Sequence, residues 1–284
     1  MTEPRNVVIT GANSGVGFET AVALALAGDR VVMCCRNPAK AADAAGQVRD
    51  RSGSDRVELV PLDLASFASI RAAAATLQVL TPTVDVLINN AGLILSERTT
   101  TVDGFETTIG VNHLGHFLLT TLLEPQVRAA AEPRIINLSS MAHTIAVGGL
   151  NFDDLQSTRH YNGWLAYGRS KLANIHFTQE LARRWTDVAV NAVHPGSVST
   201  GFAQDGDTRG VTALAMKLAP LVSITPMQGA STSIHLATAE NGRRITGRYW
   251  SGSKPRRTAP WAHNAESDKK LWDVSEQLIA AGHP

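Results

Sequence analysis

The sequence predicts an α/β fold, a doubly wound parallel sheet built as a single domain, and three observations carry that prediction. Short β-branched runs alternate with longer Ala-rich stretches, the short runs show no polar alternation, and no Pro/Gly/Ser-rich linker interrupts the rhythm. A strand that is apolar on both faces needs helices on both sides of its sheet. Hydrophobic residues make up 44% of the 284 residues and charged residues 18%, so the chain can bury one large core.

The strands are expected at residues 7–10, 30–35, 57–60, 84–88, 134–138 and 188–193, with helices between them at 15–27, 38–51, 66–80, 103–123 and 165–185. Gly28 is a plausible stop for the first helix. Beyond His194 come a Gly- and polar-rich loop, an amphipathic stretch at 211–221, a helix at 226–239 and a short Arg248-Tyr249-Trp250 strand. Lys+Arg 26 against Asp+Glu 25 leaves a net charge of +1, which excludes a bulk electrostatic grip on nucleic acid. The longest apolar run, 21–27, falls far short of the ~20 residues of a spanning helix, so no membrane anchor is expected. Met1-Thr2-Glu3-Pro4-Arg5 turns directly into a strand and leaves no room for a signal peptide, which predicts a cytoplasmic protein. Cys34 and Cys35, neighbours in one strand, should face opposite ways and stay reduced as packing residues.

The first strand runs into Thr10-Gly11-Ala12-Asn13-Ser14-Gly15-Val16-Gly17 and then into a helix. Strand, glycines and helix form a phosphate site, because missing side chains admit a pyrophosphate to free amides and to the positive end of the helix dipole. The spacing is GxxxGxG, distinct from GxGxxG, from a P-loop and from a hydrolase elbow. A Rossmann-like dinucleotide site that selects NAD places a carboxylate at the end of the second strand. That place holds Cys34-Cys35-Arg36, and Arg36 suits the 2′-phosphate of NADP instead.

Tyr167 and Lys171, four apart near a helix start, lie on one face and suit proton transfer, since a nearby ammonium favours phenolate. The strand at 134–138 ends in Ser139-Ser140, at the carboxyl edge where such sheets bind ligands. The strand at 84–88 likewise ends in Asn89-Asn90-Ala91-Gly92, and Asn112 lies in the helix that follows.

Taken in order, these motifs resemble the short-chain dehydrogenases/reductases, with TGxxxGxG at Thr10 to Gly17, Asp63-Leu64, NNAG at Asn89 to Gly92, Asn112, the Ser pair, YxxxK at Tyr167 to Lys171 and PGxVxT at Pro195 to Thr200. The segment 111–117, Ser170-Lys171-Leu172-Ala173-Asn174 and the late Leu271-Trp272 are similar to the retinol dehydrogenase and WW-domain oxidoreductase branch. The resemblance implies an enzyme that moves a hydride between NADP(H) and a carbonyl or alcohol, with a tetrad of Asn112, Ser140, Tyr167 and Lys171. In it Tyr167 donates the proton, Ser140 hydrogen-bonds the carbonyl oxygen, Lys171 lowers the Tyr167 pKa and holds the nicotinamide ribose, and Asn112 anchors a water. Ser140 is preferred to Ser139 by motif position. The implied cofactor contacts are Gly11, Asn13, Ser14, Gly15, Val16 and Gly17 in the loop, Arg36, Asp63 and Leu64 at the adenosine, and Asn90, Ala91 and Gly92 at the adjacent ribose. Tyr167, Lys171, Pro195, Gly196, Val198 and Thr200 complete the set on the nicotinamide side. A homodimer or homotetramer is implied, paired through the helices of Asn112 and Tyr167.

His113 and His116 lack a third ligand at metal-binding spacing and read as packing or interface residues; no metal is expected. Ser267-Asp268-Lys269-Lys270 reads as solvated surface and Lys254-Pro255-Arg256-Arg257 as an exposed turn. The alternative function is a catalytically silent NADP(H)-sensing regulator of the same fold, whose signature would be a broken tetrad, whereas all four positions are filled. The epimerase/dehydratase branch would space its glycines as GxxGxxG. The segment 200–225, from Phe202 through polar Gln204 to Arg209 and the apolar Val211, Leu214, Met216, Leu218, Leu221, Val222 and Ile224, reads as a substrate cover or as core. As a cover it would select an apolar aldehyde, ketone or alcohol, with Trp164 and His143 as further wall residues.

Overall fold

The computed structural model describes residues 4–196 and 224–283. Three strand–helix units open the chain: β1 (Asn6–Thr10) with α1 (Gly15–Leu26), β2 (Arg30–Cys35) with α2 (Pro38–Ser52), and β3 (Val57–Pro61) with α3 (Phe67–Leu80). After β4 (Val86–Asn89) come one turn of α4 (Thr107–Ile109), a π-helical turn (Gly110–Leu114), α5 (Gly115–Leu122) and α6 (Glu124–Arg128). Then follow β5 (Arg134–Leu138), the long α7 (Gly163–Arg184), β6 (Ala189–Val193), α8 (Pro226–Thr238), α9 (Glu240–Arg244), β7 (Arg248–Ser251), β8 (Lys254–Arg256) and α10 (Ala265–Ala281).

The eight strands of the described residues form one sheet in the order β3-β2-β1-β4-β5-β6-β7-β8, parallel throughout except for the final hairpin pairing of β7 with β8. The order reverses between β1 and β4, which opens a crevice at their carboxyl ends. Strand alternation sends Val8, Val32, Leu87, Ile135 and Val190 into one core layer with α3, α5 and α7. Their neighbours Val7, Ile9, Val31, Met33, Val86 and Ile88 enter the opposite layer with α1 and α2. Cys34 and Cys35 are free thiols divided between the two layers as their adjacency requires. Helix starts are set by side-chain caps, as where Asn37 accepts from the Lys40 amide, Ser66 from Ser69 and Asn162 from Leu165.

Three expectations are corrected. The helix expected from 103 begins at Thr107 and is widened at Gly110–Leu114 into a π turn, which brings Asn112 onto the Leu93 backbone. The basic run Lys254-Pro255-Arg256 is an exposed edge strand, a place where Pro is tolerated because no further strand needs its missing N–H. Asp268 is no solvated residue: it is buried, receives a 2.5 Å hydrogen bond from Arg183 Nη2 and pairs with His176 Nδ1.

That contact seats α10 across α5 and α7. Trp272 lies 4.8 Å from Phe117 and 6.1 Å from Phe177 between ring centroids, and Ser275 Oγ meets His113 Nε2 at 2.9 Å. Residues 110–120 are buried without exception, and no residue of α7 from 165 to 182 is exposed. The C-terminal helix thus packs on part of the helix pair that carries Asn112 and Tyr167, through His113, Phe117 and Phe177.

Candidate active site

The crevice is floored by the loop between β1 and α1. Gly11 and Gly15 take positive φ of 64° and 57°, conformations that L side chains rarely adopt. Gly17 is needed for contact as well, since a Cβ there would stand 2.4 Å from Asn90 Nδ2 and 2.6 Å from the Gly11 oxygen. Two of the three glycines thus serve the protein's own packing beside any ligand: Asn90 Nδ2 donates to the Thr10 and Gly11 carbonyls at 2.7 and 3.2 Å, bolting the β4 loop to the glycine loop. Thr10 Oγ1 accepts from the amides of Asn90 and Ala91 at 2.9 Å each and meets His116 Nε2 at the same distance. Burial pushes the His113 and His116 imidazoles down to about 3, so both are neutral packing residues, and no cluster suited to a metal occurs among the described residues.

Ser14 caps α1 without a side-chain hydrogen bond, which leaves the first-turn amides of Gly15 and Val16 open toward an anion, while the Asn13 amide bonds to the Cys35 sulfur. Arg36 follows β2 directly, is exposed, and has no ion pair with a described residue. Asp63 Oδ1 accepts from the Ala65 amide at 3.0 Å, and the Leu64 carbonyl lies against Gly115, where a Cβ would come within 2.7 Å. Pro195 and Gly196 stand at the end of β6, and Ile224 Cδ1 lies 2.4 Å from where a Gly196 Cβ would be. Val198, Thr200 and the expected substrate cover up to Ser223 lie outside the described residues. These groups fit a nicotinamide dinucleotide along the crevice: open amides for the pyrophosphate, an exposed guanidinium at the adenosine end, and glycines where backbone must be approached.

Ser140, Tyr167 and Lys171 converge on the carboxyl edge of β5. Tyr167 is hydrogen-bonded to Ser140, whose Oγ also accepts from the Ala142 amide at 3.1 Å. Ser139 turns the other way and donates to the Lys171 carbonyl at 2.8 Å, so of the two serines only Ser140 faces the phenol. Lys171 Nζ donates to the Leu138 carbonyl at 3.1 Å and stands 5.6 Å from the Tyr167 ring centre. A Cβ on Gly92 would meet Lys171 Nζ at 3.0 Å and Asn112 Oδ1 at 3.3 Å, which places this glycine, the ammonium and the amide around one point.

The surroundings of Tyr167, Lys171 and Asn112 add to the expected roles. Burial pushes Tyr167 up to about 12, opposed by the Ser140 hydrogen bond, and burial pushes Lys171 down to about 8. Near pH 7 the phenol is protonated and the amine charged. The Asn112 carboxamide is engaged by the chain itself, accepting from the Leu93 amide and donating to the Leu93 carbonyl and Ser170 Oγ, each within 2.9 Å. It clamps the Gly92–Leu93 segment to α7.

Trp164 borders the site as expected, edge-on to Tyr167 at 6.4 Å and 39% exposed. His143 does not; it is buried behind Ser140 and hydrogen-bonded at both ring nitrogens. The sequence reading missed Gly168, where a Cβ would strike Ile145 Cγ1 at 2.6 Å and the Ala142 carbonyl at 2.7 Å, holding α7 tight against the turn that follows Ser140. It also missed exposed Met141 and Ile145, which extend the Trp164 rim, and His194, whose Nδ1 accepts from the amides of Met141 and Gly196. A glycine one residue from a predicted catalytic tyrosine was the available signal.

A hydroxyl against a buried phenol, with an ammonium one helical turn away, can hold and protonate a carbonyl oxygen. A family model described as short chain dehydrogenase matches residues 5–209. Retinol dehydrogenase 14 of Mus musculus is 44% identical over 97% of this chain and 86% of its own length, and retinol dehydrogenase 13 of Homo sapiens is 42% identical over 99% and 86%. Among solved structures, an uncharacterized protein from Mycobacterium paratuberculosis is 36% identical with a TM-score of 0.78, covering 97% of this chain and 93% of that one. The Pseudomonas aeruginosa RhlG/NADP active-site complex is 27% identical with a TM-score of 0.68, covering 91% and 96%.

Proposed function

The chain belongs to the short-chain dehydrogenase family, in its retinol dehydrogenase branch, and from that premise we propose that this oxidoreductase uses NADP(H) to interconvert an apolar carbonyl compound and its alcohol. The observation that carries the reading is the Ser140–Tyr167 hydrogen bond beside the Lys171 ammonium at the crevice mouth. When bound, the nicotinamide supplies the hydride. Open amides at the start of α1, residues 14–17, hold the pyrophosphate beside Asn13, Arg36 holds the 2′-phosphate, and Asp63, Leu64 and residues 90–92 the adenosine side. Lys171, Pro195, Gly196, Val198 and Thr200 receive the nicotinamide side. During reduction Ser140 donates to the carbonyl oxygen, Tyr167 delivers the phenolic proton to it, and the phenolate then recovers a proton from solvent.

Support for NADP(H) comes from Arg36, an exposed cation without an ion pair among the described residues where an NAD site needs an acid. Support for an apolar substrate comes from Met141 and Ile145, exposed in the turn that Ser140 caps, and from Trp164, exposed beside Tyr167. The test is oxidation of NADPH followed at its absorbance band with aliphatic, aromatic, steroid, retinoid and sugar carbonyls. Highest kcat/KM on an apolar carbonyl is expected; a sugar or carboxylate-bearing compound as best substrate overturns the substrate class, and no turnover of any carbonyl overturns the enzyme.

A further inference from the structure

His143 sits at the back of the Ser140 turn with both ring nitrogens committed. Its Nδ1 lies 2.7 Å from the Ser140 carbonyl and its Nε2 lies 3.1 Å from the Ala259 amide nitrogen. A carbonyl only accepts and an amide only donates, so Nδ1 must carry the proton and Nε2 must be bare. The partners fix one neutral tautomer. Burial, the principal cause of a lowered His143 pKa, favours the same uncharged ring, and the ring packs edge-on to Tyr249 at 5.1 Å. The histidine's own carbonyl accepts from Trp261 Nε1 at 3.1 Å, so the turn is tied to the segment after β8 by two separate bonds.

The geometry points to His143 as the positioning residue for Ser140: the Nδ1–H bond to the Ser140 carbonyl sets the direction in which the Ser140 hydroxyl faces Tyr167, and the Ala259 amide keeps the ring in the tautomer that makes this bond. Ser140 has extended backbone and caps the 3-10 turn Met141–Ile145, with its carbonyl taking a second bond from the His143 amide at 3.2 Å. Without the ring, that carbonyl keeps one donor, and the peptide plane next to the hydroxyl gains freedom to rotate. A hydroxyl that stabilises charge must be held in place before the reaction, so lost orientation lowers kcat more than ground-state binding. Because His143 lies behind Ser140, it touches neither substrate nor cofactor in this role.

The inference rests on the proposed role of Ser140, and three substitutions separate the two. Asn places a donor where Nδ1 stands but does not reach Ala259; Gln places an acceptor where Nε2 stands but removes the donor to Ser140. His143→Asn should keep kcat within about 3-fold, whereas His143→Gln should lose about 10- to 100-fold in kcat with little change in the KM for NADPH. Each loses one of two bonds, so their melting temperatures should be similar. Equal kcat in the two variants, or a larger loss in His143→Asn, overturns the positioning role. Ser140→Ala guards the premise: unchanged turnover there refutes the site, while its inactivity beside a fully active His143→Gln refutes only His143. Long-range 1H–15N correlation on the unmodified protein should show the Nδ1–H form, and a dominant Nε2–H form contradicts the account without reference to activity.

Discussion

Gly168→Ala should disable the site without touching any reacting atom. The added methyl would lie 2.6 Å from Ile145 Cγ1 and 2.7 Å from the Ala142 carbonyl oxygen, and the second contact is backbone that no rotamer change can clear. Reaching ordinary van der Waals separation opens the joint between α7 and the Ser140 turn by about 0.7 Å. Overpacking of this kind costs about 1–3 kcal/mol, which for a chain of this size lowers the melting temperature by roughly 2–12 °C. The greater effect falls on catalysis. The forced displacement separates Tyr167, on one side of the joint, from Ser140, on the other; since a 1 Å misplacement can cost about 100-fold, kcat should fall about 10- to 100-fold. Steady-state oxidation of NADPH reads kcat, fluorescence titration reads cofactor affinity, and thermal unfolding reads stability. Gly46→Ala is the control, because a Cβ there meets nothing within 4 Å and should stabilise α2 by up to about 1 kcal/mol. A Gly168→Ala enzyme with kcat within twofold of the parent would refute the idea that this joint sets the Ser140–Tyr167 geometry.

Arg36→Asp should reverse the cofactor preference, weakening NADPH by about 10- to 100-fold for the loss of a charge-assisted contact; equal dissociation constants for NADPH and NADH in the unmodified protein would sink the assignment. Reduction should decline as pH rises through about 8, where Lys171 loses its charge, and a kcat/KM profile flat to pH 10 would remove Lys171 from the mechanism. Stability takes the opposite sign for this group. The folded state disfavours the ammonium, so between about pH 8 and the ordinary lysine value near 10.4 the unfolded chain holds the extra proton and folding gains as pH rises. Trp272→Ala should cost about 3–5 kcal/mol in thermal unfolding by emptying the contact of α10 with Phe117 and Phe177; an unchanged transition would show that α10 does not hold that face.

The sheet was legible because Val7-Val8-Ile9 and Val31-Val32-Met33 are apolar at successive positions, a pattern that demands cover on both faces. Tyr167, Lys171 and the three glycines were legible because their spacing is local. What escaped was mostly made by contact across the chain. Gly168 and His143 matter through Ile145, Ala142 and Ala259, which no spacing along one segment reveals. The π turn at Asn112 sets a side chain against the Leu93 backbone, 19 positions away. Asp268 sits in the charged run Glu266-Ser267-Asp268-Lys269-Lys270 and looked solvated, yet its partners His176 and Arg183 are 92 and 85 positions distant. The burial that raises the Tyr167 phenol and the bond of Lys171 Nζ to the Leu138 carbonyl are likewise made by residues distant in sequence.

Tyr167→Phe tests the central claim most directly, because it removes one proton donor and almost no surface. NADPH binding is measured by fluorescence and turnover on the best carbonyl from the substrate screen. The account predicts a loss in kcat of about 100-fold or more, the range general acid catalysis supplies, with the NADPH dissociation constant within about 3-fold of the parent. A variant retaining more than about a tenth of the parent kcat would place the proton donor elsewhere and contradict the account.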